Sequence, residues 1–550
     1  MSDSYKRLGE DLPKPAGGAG AFAAEPRKVK AWVAALPRAN AQATELELTR
    51  ALESLLAQKL DGSQRLGALE ELRAAVIESI SLLESQFASN PLPLPADKAR
   101  AASVAEGFHL MLGHDYRRAA ADLCAPAGAV PFLRGGSVLQ ALQRAAWHYS
   151  RALALAWRVY RPPAAGAWQG LHRVYRFTAS LKLEAKAVED RAVGGSVDVG
   201  TVYLQTLLLA AVNPYAFGQL EQDLLWPITR GFARRCGLTD QPSDALAPVV
   251  PADADRGPGP GAADESHSQW LDLRAFSDAV EQALGRVREG QSELVAGAGP
   301  GVRVGNDLLI RLRRAFGQIA ARGLVRLPAG HRLETVLGLS GLHYFLAGQR
   351  DFDSFMKHSV QGAVHVITGA TWTQGAAGMT KVSRFTGRVL DQSLGGYRMA
   401  WDSAEQARAR VGELVGLNFG DEGEEQDWMV GVMRWLRYED DGSLSAGVEL
   451  LSRRSSAVAL RVVSADGGSR QVNRAVEIFP IDGPRGRCFL ANASIEAGSR
   501  VEVIHDLASH FPEIAPRGPD VLADVEVLLN AGDYVMLGER QPEPAAGSPA

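Results

Sequence analysis

The chain has 550 residues, a net charge of −4 and 22% charged side chains. That length holds several domains, and that charge gives no general attraction to nucleic acid or anionic lipid, so any phosphate recognition must be local. Its three cysteines, Cys124, Cys236 and Cys488, lie far apart, make no metal spacing and leave no even disulfide framework, which fits a reducing cytoplasm.

The sequence shows no basic-then-apolar leader, and no apolar run reaches the roughly 18 residues of a membrane span, so neither export nor a span is expected. Residues 1–29 are rich in Gly, Ala and Pro and read as a disordered lead-in. Residues 30–240 read as a helical domain. Leu66, Leu69, Val76, Ile80, Leu83 and Phe87 recur at mostly three- and four-residue steps, with Ser63 as the expected N-cap. Pro91, Pro93 and Pro95 end that unit. A second long helix is predicted from Ser137 to Tyr160, stopped by Pro162-Pro163, and others over 168–182, 198–211 and 215–235. Trp147, Trp157 and Trp168 read as core residues.

Residues 241–266, rich in Pro, Ala, Gly and Asp, read as a flexible linker. Residues 267–350 read as a helical continuation that reopens at Trp270, with a further helix over about 305–322. The apolar segment Glu334–Leu346 is a buried strand or helix, too short to cross a bilayer. Residues 351–379 read as a connector. Residues 380–465 read as a small β-barrel, 466–539 as further strands that extend it or form a second sheet, and 540–550 as a disordered tail.

Chemistry concentrates between Lys381 and Leu451. Arg384 and Arg388 stand four apart, just before the turn Asp391-Gln-Ser393-Leu-Gly395-Gly396. A guanidinium fork pairs with phosphate and stacks on a flat ring. An ionised Asp391 can accept two donors at once, as the N–H edge of a guanine offers, and Ser393 adds a hydroxyl. Gly395 and Gly396 allow close approach. The same residues also suit an ordinary hairpin whose Asp and Ser bond their own backbone.

Asp391-x-Ser393-x-x-Gly396, followed by the strands 411–417, 428–436 and 446–451, resembles the PilZ family of small antiparallel β-barrels that bind cyclic di-GMP. In that family an Arg-x-x-x-Arg motif grips phosphates and guanines, and an Asp/Asn-x-Ser-x-x-Gly motif reads a guanine edge. The resemblance implies a ligand set of Arg384, Arg388, Asp391, Ser393 and Gly396. The family's arginine pair usually sits in a linker roughly a full strand before the turn, whereas here only Val389 and Leu390 intervene. No arginine lies between Arg350 and Arg384, so that interval offers no better-placed pair.

Enzyme readings find less support. His114-Asp115 and His505-Asp506 are pairs of the kind metal phosphohydrolases use, and His109, His148 and His172 could join the first. Such sites need several residues converging from different elements. His343, His358 and His365 lack a partner at metal spacing, the glycines at 297–305 follow no phosphate-cradle order, and no Gly-x-Ser-x-Gly occurs. Arg434 and Arg437 lie on a strand, where one of them could help hold a ligand. Glu422, Glu424, Glu425 and Asp427 read as a solvated turn.

The expected protein is therefore an N-terminal all-α domain followed by a C-terminal PilZ-like antiparallel β-barrel with extra strands. The resemblance implies a cytoplasmic, non-enzymatic effector of cyclic di-GMP, without cofactor or metal. Ligand binding would alter how the helical domain meets a protein partner. The competing reading is a barrel that scaffolds protein contacts without nucleotide, and a weaker one is a metal-dependent phosphohydrolase in the helical half.

Overall fold

The computed structural model describes the chain apart from residues 1–3, 16–21, 89, 126–129, 132, 192–193, 244–246, 261–267, 289, 297–300, 322–326, 360–381, 404–408, 420–427, 464–468, 482–485, 493–494, 507–519 and 540–550. The expected tail, the acidic turn and His365 lie outside the described residues. The chain divides into two compact units, Met1–Gly323 and Leu324–Ala550. Among the described residues, no helix is long and apolar enough to cross a membrane.

The first unit is helical. Its opening helices are α1 (Ser4–Arg7), α2 (Pro26–Ala34), α3 (Ala41–Ala57), α4 (Gly62–Phe87), α5 (Ala96–Cys124), α6 (Gly135–Arg158) and α7 (Ala167–Ser180). A hairpin of β1 (Val188–Asp190) and β2 (Gly195–Val197) precedes α8 (Val199–Ala211) and α9 (Gln219–Phe232). A small sheet of β3 (Gly237–Thr239), β4 (Val249–Val250) and β5 (Gln269–Asp272) comes next, then α10 (Arg274–Leu284). The hairpin of β6 (Gln291–Leu294) and β7 (Val302–Gly305) and helix α11 (Asn306–Ala321) complete the unit.

Several expectations are corrected here. The cap of α4 is Asp61, whose carboxylate accepts the Ser63 backbone N–H at 2.9 Å. Trp270 lies on β5, and α10 starts four residues later, at Arg274. Helix α5 had no reading as an element, because burial on most sides leaves it no apolar stripe. The lead-in is partly packed: Leu8 and Leu12 are buried, and the Asp11 carboxylate accepts from Arg117 at 2.7 Å and from Arg173. The expected linker is anchored too. Asp255 accepts the backbone N–H groups of Gly166, Trp168 and Gln169 at 2.6, 3.1 and 3.1 Å, capping α7 from a remote segment.

The core of this unit holds a polar network. The Arg73 fork donates to both oxygens of buried Asp190 on β1, at 2.7 and 2.8 Å, and Arg144 lies 2.8 Å from the same carboxylate. Arg73 Nε donates to His148 Nε2 at 3.0 Å. The neutral His148 ring therefore carries its proton on Nδ1 and donates it to His109 Nδ1, 2.9 Å away. Both rings are fully buried. Desolvation first, and the neighbouring arginines second, hold both imidazoles far below the usual histidine range. Burial likewise holds His114 and His172 at about 4. In the His-Asp pair at 114–115, His114 Nδ1 bonds the Tyr149 hydroxyl at 2.6 Å. Among the described residues, no group of three or more His, Cys, Asp or Glu is arranged to hold a metal ion.

These rings set the acid stability of the helical unit. The unfolded chain takes up protons on all four histidines as pH falls through about 6.5, while the folded chain does not. Their contribution is complete above that pH and is lost on acidification. Buried Asp115, raised well above the usual carboxylate range chiefly by desolvation, opposes them, as do Asp122 and Asp307, which burial also raises. We expect stability to fall below about pH 6, by about 1.4 kcal/mol per pH unit for each histidine that a raised carboxyl does not offset. Denaturant midpoints of the helical signal at pH 7.5, 6.5 and 5.5 check this, and a flat or rising midpoint contradicts it.

The second unit contains two antiparallel sheets. Its elements are β8 (Leu327–Pro328), β9 (Arg332–Leu337), α12 (Gly338–Leu346), α13 (Phe352–Lys357), β10 (Phe385–Ser393), β11 (Gly396–Trp401), β12 (Leu414–Asn418), β13 (Met429–Tyr438) and β14 (Leu444–Ser452). There follow β15 (Ser455–Val463), β16 (Ser469–Ile478), β17 (Cys488–Ala491), β18 (Arg500–His505), β19 (Asp520–Leu522), β20 (Val525–Asn530) and β21 (Val535–Glu539). Strands pair in the order β11-β14-β13-β12-β9-β10, and β10 returns to β11, so six strands close a barrel, with β8 laid beside β10. The expected boundary at 380 moves back to Leu327, and β15 leaves the barrel for the second sheet. The segment Glu334–Leu346 is both things at once, strand to Leu337 and helix from Gly338.

The second sheet, β19-β18-β15-β16-β17-β21-β20, repeats the barrel's scheme. With β15, β16, β17, β18, β20 and β21 standing for β9, β10, β11, β12, β13 and β14, every pairing recurs except that of β12 with β13. There, only Val525 bonds to Gly498 and Ser499, at 2.9 and 3.2 Å, and β19 takes the edge of β18. Helix α12 packs on β9, β12, β15 and β16, and one apolar cluster joins Leu342, Phe345 and Trp428 to Ala459, Val476 and Leu490.

Candidate functional site

The site is built on β10. Gly387 and Val389 are buried, while Thr386 and Arg388 between them are exposed, so Arg388 points outward from the barrel. Val389 pairs with Met399, but Asp391 pairs with Arg398, so Leu390 is an extra residue. That bulge reverses the alternation and brings Asp391 onto the same outer face as Arg388. Without it, residues three apart would face opposite ways.

The hairpin is tight. Ser393 pairs with Gly396 across the two-residue loop Leu394-Gly395, and Ser393 Oγ donates to the Gly396 carbonyl at 3.4 Å. Leu394 at the tip is 80% exposed. Gly396 has φ +155°, and a Cβ there would lie 2.1 Å from the Val448 carbonyl oxygen on β14. Only glycine lets β11 approach β14 so closely.

Laterally, one row crosses four strands: Asp391 on β10, Arg398 on β11, Gly447 on β14 and Trp435 on β13 are register partners in turn. At about 4.8 Å per strand, the row spans about 14 Å. Arg398 Nη1 lies 3.9 Å from Asp391 Oδ2, and its Nε is buried without a hydrogen bond among the described residues. A Cβ at Gly447 would fall 2.0 Å from Trp435 Nε1, so the indole occupies the space that a side chain would need. On the other side, Arg388 faces Arg332 of β9 directly. Among the described residues neither has an ion-pair partner. Two like charges opposed on one sheet face are destabilising unless an anion lies between them. The pair therefore favours a bound anion.

Arg384 stands apart. It precedes β10, donates to Glu334 Oε2 at 2.8 Å and lies over the Phe345 ring at 5.3 Å. The seven residues to Asp391 span about 20 Å of extended chain. Arg388, Asp391, Ser393 and Gly396 are brought together, and Arg384 is not among them. Arg434 is held by Glu449, and Arg437 by Glu439 at 2.7 Å.

Three residues escaped the sequence reading: Arg332, Arg398 and Trp435. Register alone brings them to the site, and no motif spacing records register. A second arginine pair was also passed over. Arg322-Gly-Leu-Val-Arg326 has the Arg-x-x-x-Arg spacing and is followed at once by β8. Those five residues lie outside the described ones, but Arg326 is bonded to Leu327. Leu327 is the register partner of Gln392, and Pro328 of Asp391.

The matches to known proteins fall into two blocks. Residues 27–243 match the family model described as cyclic-di-GMP receptor FimW, N-terminal domain. Residues 260–378 and 368–456 match that described as cyclic-di-GMP receptor FimW, middle PilZ domain, which contains both arginine pairs and the turn. The cyclic-di-GMP receptor FimW of Pseudomonas aeruginosa is 24% identical over 538 residues, covering 87% of this chain and 86% of that protein. No solved structure matches the chain.

The close approach at Gly396 is testable by itself. Gly396→Ala should destabilise the β-unit by about 1–3 kcal/mol through overpacking. Gly395→Ala, whose Cβ would meet nothing within 4 Å, should be near neutral. Denaturant midpoints followed by tryptophan fluorescence compare them, and equal midpoints contradict the close approach.

Proposed function

Because residues 27–243 and 260–456 match the FimW N-terminal and middle PilZ domains, we propose that this chain is a cyclic di-GMP-responsive regulator whose ligand lies on the outer face of the barrel at the β10–β11 hairpin. Asp391 accepts the N–H edge of a guanine, Ser393 supports it, and Gly396 keeps the surface low enough for contact. Arg322 and Arg326 take the phosphates in the role first given to Arg384 and Arg388. Arg388 stays within reach on the same face, with Arg332 opposite it, and Arg398 and Trp435 border the guanine.

One observation carries this reading: β8 runs beside the turn, so the chain that follows Arg326 enters the barrel against Gln392 and Asp391. Leu327, the residue after Arg326, is the register partner of Gln392, which supports pairing the two motifs although they stand far apart in the sequence. The opposed pair Arg332 and Arg388 supports a charged ligand over a nucleotide-free scaffold. The protein acts by binding, not catalysis. Three buried free thiols suit the cytoplasm. Ligand binding at Arg326 draws on the segment that joins the two units, and so changes how the helical unit is offered to a protein partner.

Calorimetric titration of the full chain with cyclic di-GMP should give micromolar or tighter binding. Asp391→Ala and Arg326→Ala should each weaken it by about tenfold to a hundredfold, the loss of a charge-assisted hydrogen bond. Arg388→Ala should weaken it less, and Arg384→Ala hardly at all. Absence of heat at tens of micromolar ligand sinks the ligand assignment. A larger effect of Arg384→Ala than of Arg326→Ala sinks the reassigned arginine pair.

A further inference from the structure

The helical unit contains a cavity that cyclic di-GMP binding at the barrel does not use. It measures about 240 Å³ and is lined by Arg7 of α1, by Arg173, Arg176 and Phe177 of α7, and by Asp253. At about 30 Å³ per water, that is room for about eight waters, enough for a phosphate group with a small substituent.

Its chemistry is lopsided, with three guanidinium groups to one carboxylate in the lining. Arg173 is fixed in place. Its side chain is 7% exposed, and its Nε and Nη2 donate to the two oxygens of Asp253 at 2.6 and 3.2 Å. Nη1 donates to Asp11. Those bonds use three of the five N–H groups of a guanidinium and leave the fork oriented with donors to spare. Asp11 also serves fully buried Arg117, at 2.7 Å. Arg117 Nε and Nη1 have no hydrogen bond among the described residues. Asp11 is thus shared between two buried cations, with Asp253 serving Arg173 as well. Arg7 and Arg176 stand at the solvent side, and buried Phe177 gives an apolar wall.

We infer that this cavity binds a small phosphate-bearing anion, gripped by Arg7, Arg173 and Arg176, and that Asp11 is the internal carboxylate that competes with it. Planar, multiply donating forks around one concavity suit a tetrahedral oxyanion better than a single charge. The N-terminal segment then acts as a strap whose hold loosens as the anion takes over Arg173.

Inorganic pyrophosphate is the probe, titrated calorimetrically into the full chain at low ionic strength. Saturable binding is expected. It should weaken at least tenfold in Arg7→Ala and in Arg176→Ala, both exposed positions whose helical signal should stay unchanged, and tighten severalfold in Asp11→Asn. Cyclic di-GMP binding should be the same in Arg7→Ala and Arg176→Ala as in the parent chain. No saturable heat in either the parent or Asp11→Asn overturns the assignment. So does pyrophosphate binding that survives Arg7→Ala and Arg176→Ala but disappears in Asp391→Ala, since it then reports the barrel.

Discussion

Strand β10 holds the second unit together, because it pairs with β9, β11 and β8 at once. Its first half closes the barrel between β9 and β11. Its second half, beyond the bulge at Leu390, is shared between β11 and β8. A strand with partners on both edges cannot shift its register without breaking two ladders, and a one-residue slip would send Val389 outward and Arg388 into the core. The bulge is therefore fixed from both sides. It is also what turns Asp391 toward Arg388, Arg332 and Arg398. The chemistry of the face is a consequence of barrel closure.

The architecture was legible where each element keeps one period throughout. The stripes of α4 and α6 and the runs in β12, β13 and β14 announced themselves, and so did Asp391, Ser393 and Gly396. The start of the barrel was hidden because Glu334–Leu346 changes from strand to helix at Gly338, so neither period lasts. Its partner β10 begins only at Phe385, with 47 residues between it and Leu337 at the end of β9. That insertion leaves Arg384 and Arg388 just before the turn, while a second pair of the same spacing, Arg322 and Arg326, stands before β8. Trp435 and Arg398 reach the site through lateral register, which depends on bulges at Leu390 and at Arg434 that no local pattern reveals.

The helical unit makes a related point about segments that look unstructured. Asp11, Asp190 and Asp253 each come from a short stretch outside the long helices, and each meets a buried arginine: Arg117 and Arg173, Arg73 and Arg144, and Arg173 again. A guanidinium taken out of water without an anion is costly, and replacing its partner leaves that charge buried. The helices bring the arginines inward, and the intervening segments are ordered because they carry the counter-charges. Gly, Pro and Ala content alone suggested free chain at 1–29 and 241–266. The aspartates within those stretches were the signal that spoke for attachment.

The two sheets of the second unit test what makes a surface receptive. They share a pairing scheme, so the fold alone does not decide which binds. At the hairpin end of the barrel, Arg332 and Arg388 oppose each other, and the turn beyond them offers Asp391 and Ser393. At the corresponding end of the second sheet, Arg487 lies between Glu477 and Asp520, and His505 adds a bond to Asp520 at 2.8 Å. Burial alone would raise the Asp520 carboxyl, but the hydrogen bonds from His505 and Arg487 outweigh it and hold it at about 2. Those charges already satisfy one another, and a phosphate ligand would have to break paired ions to enter. Opposed like charges gain from an incoming anion, whereas a closed ion-pair network loses by it. On that ground the first barrel is the receptive one, and the second is left to support α12 from the other side.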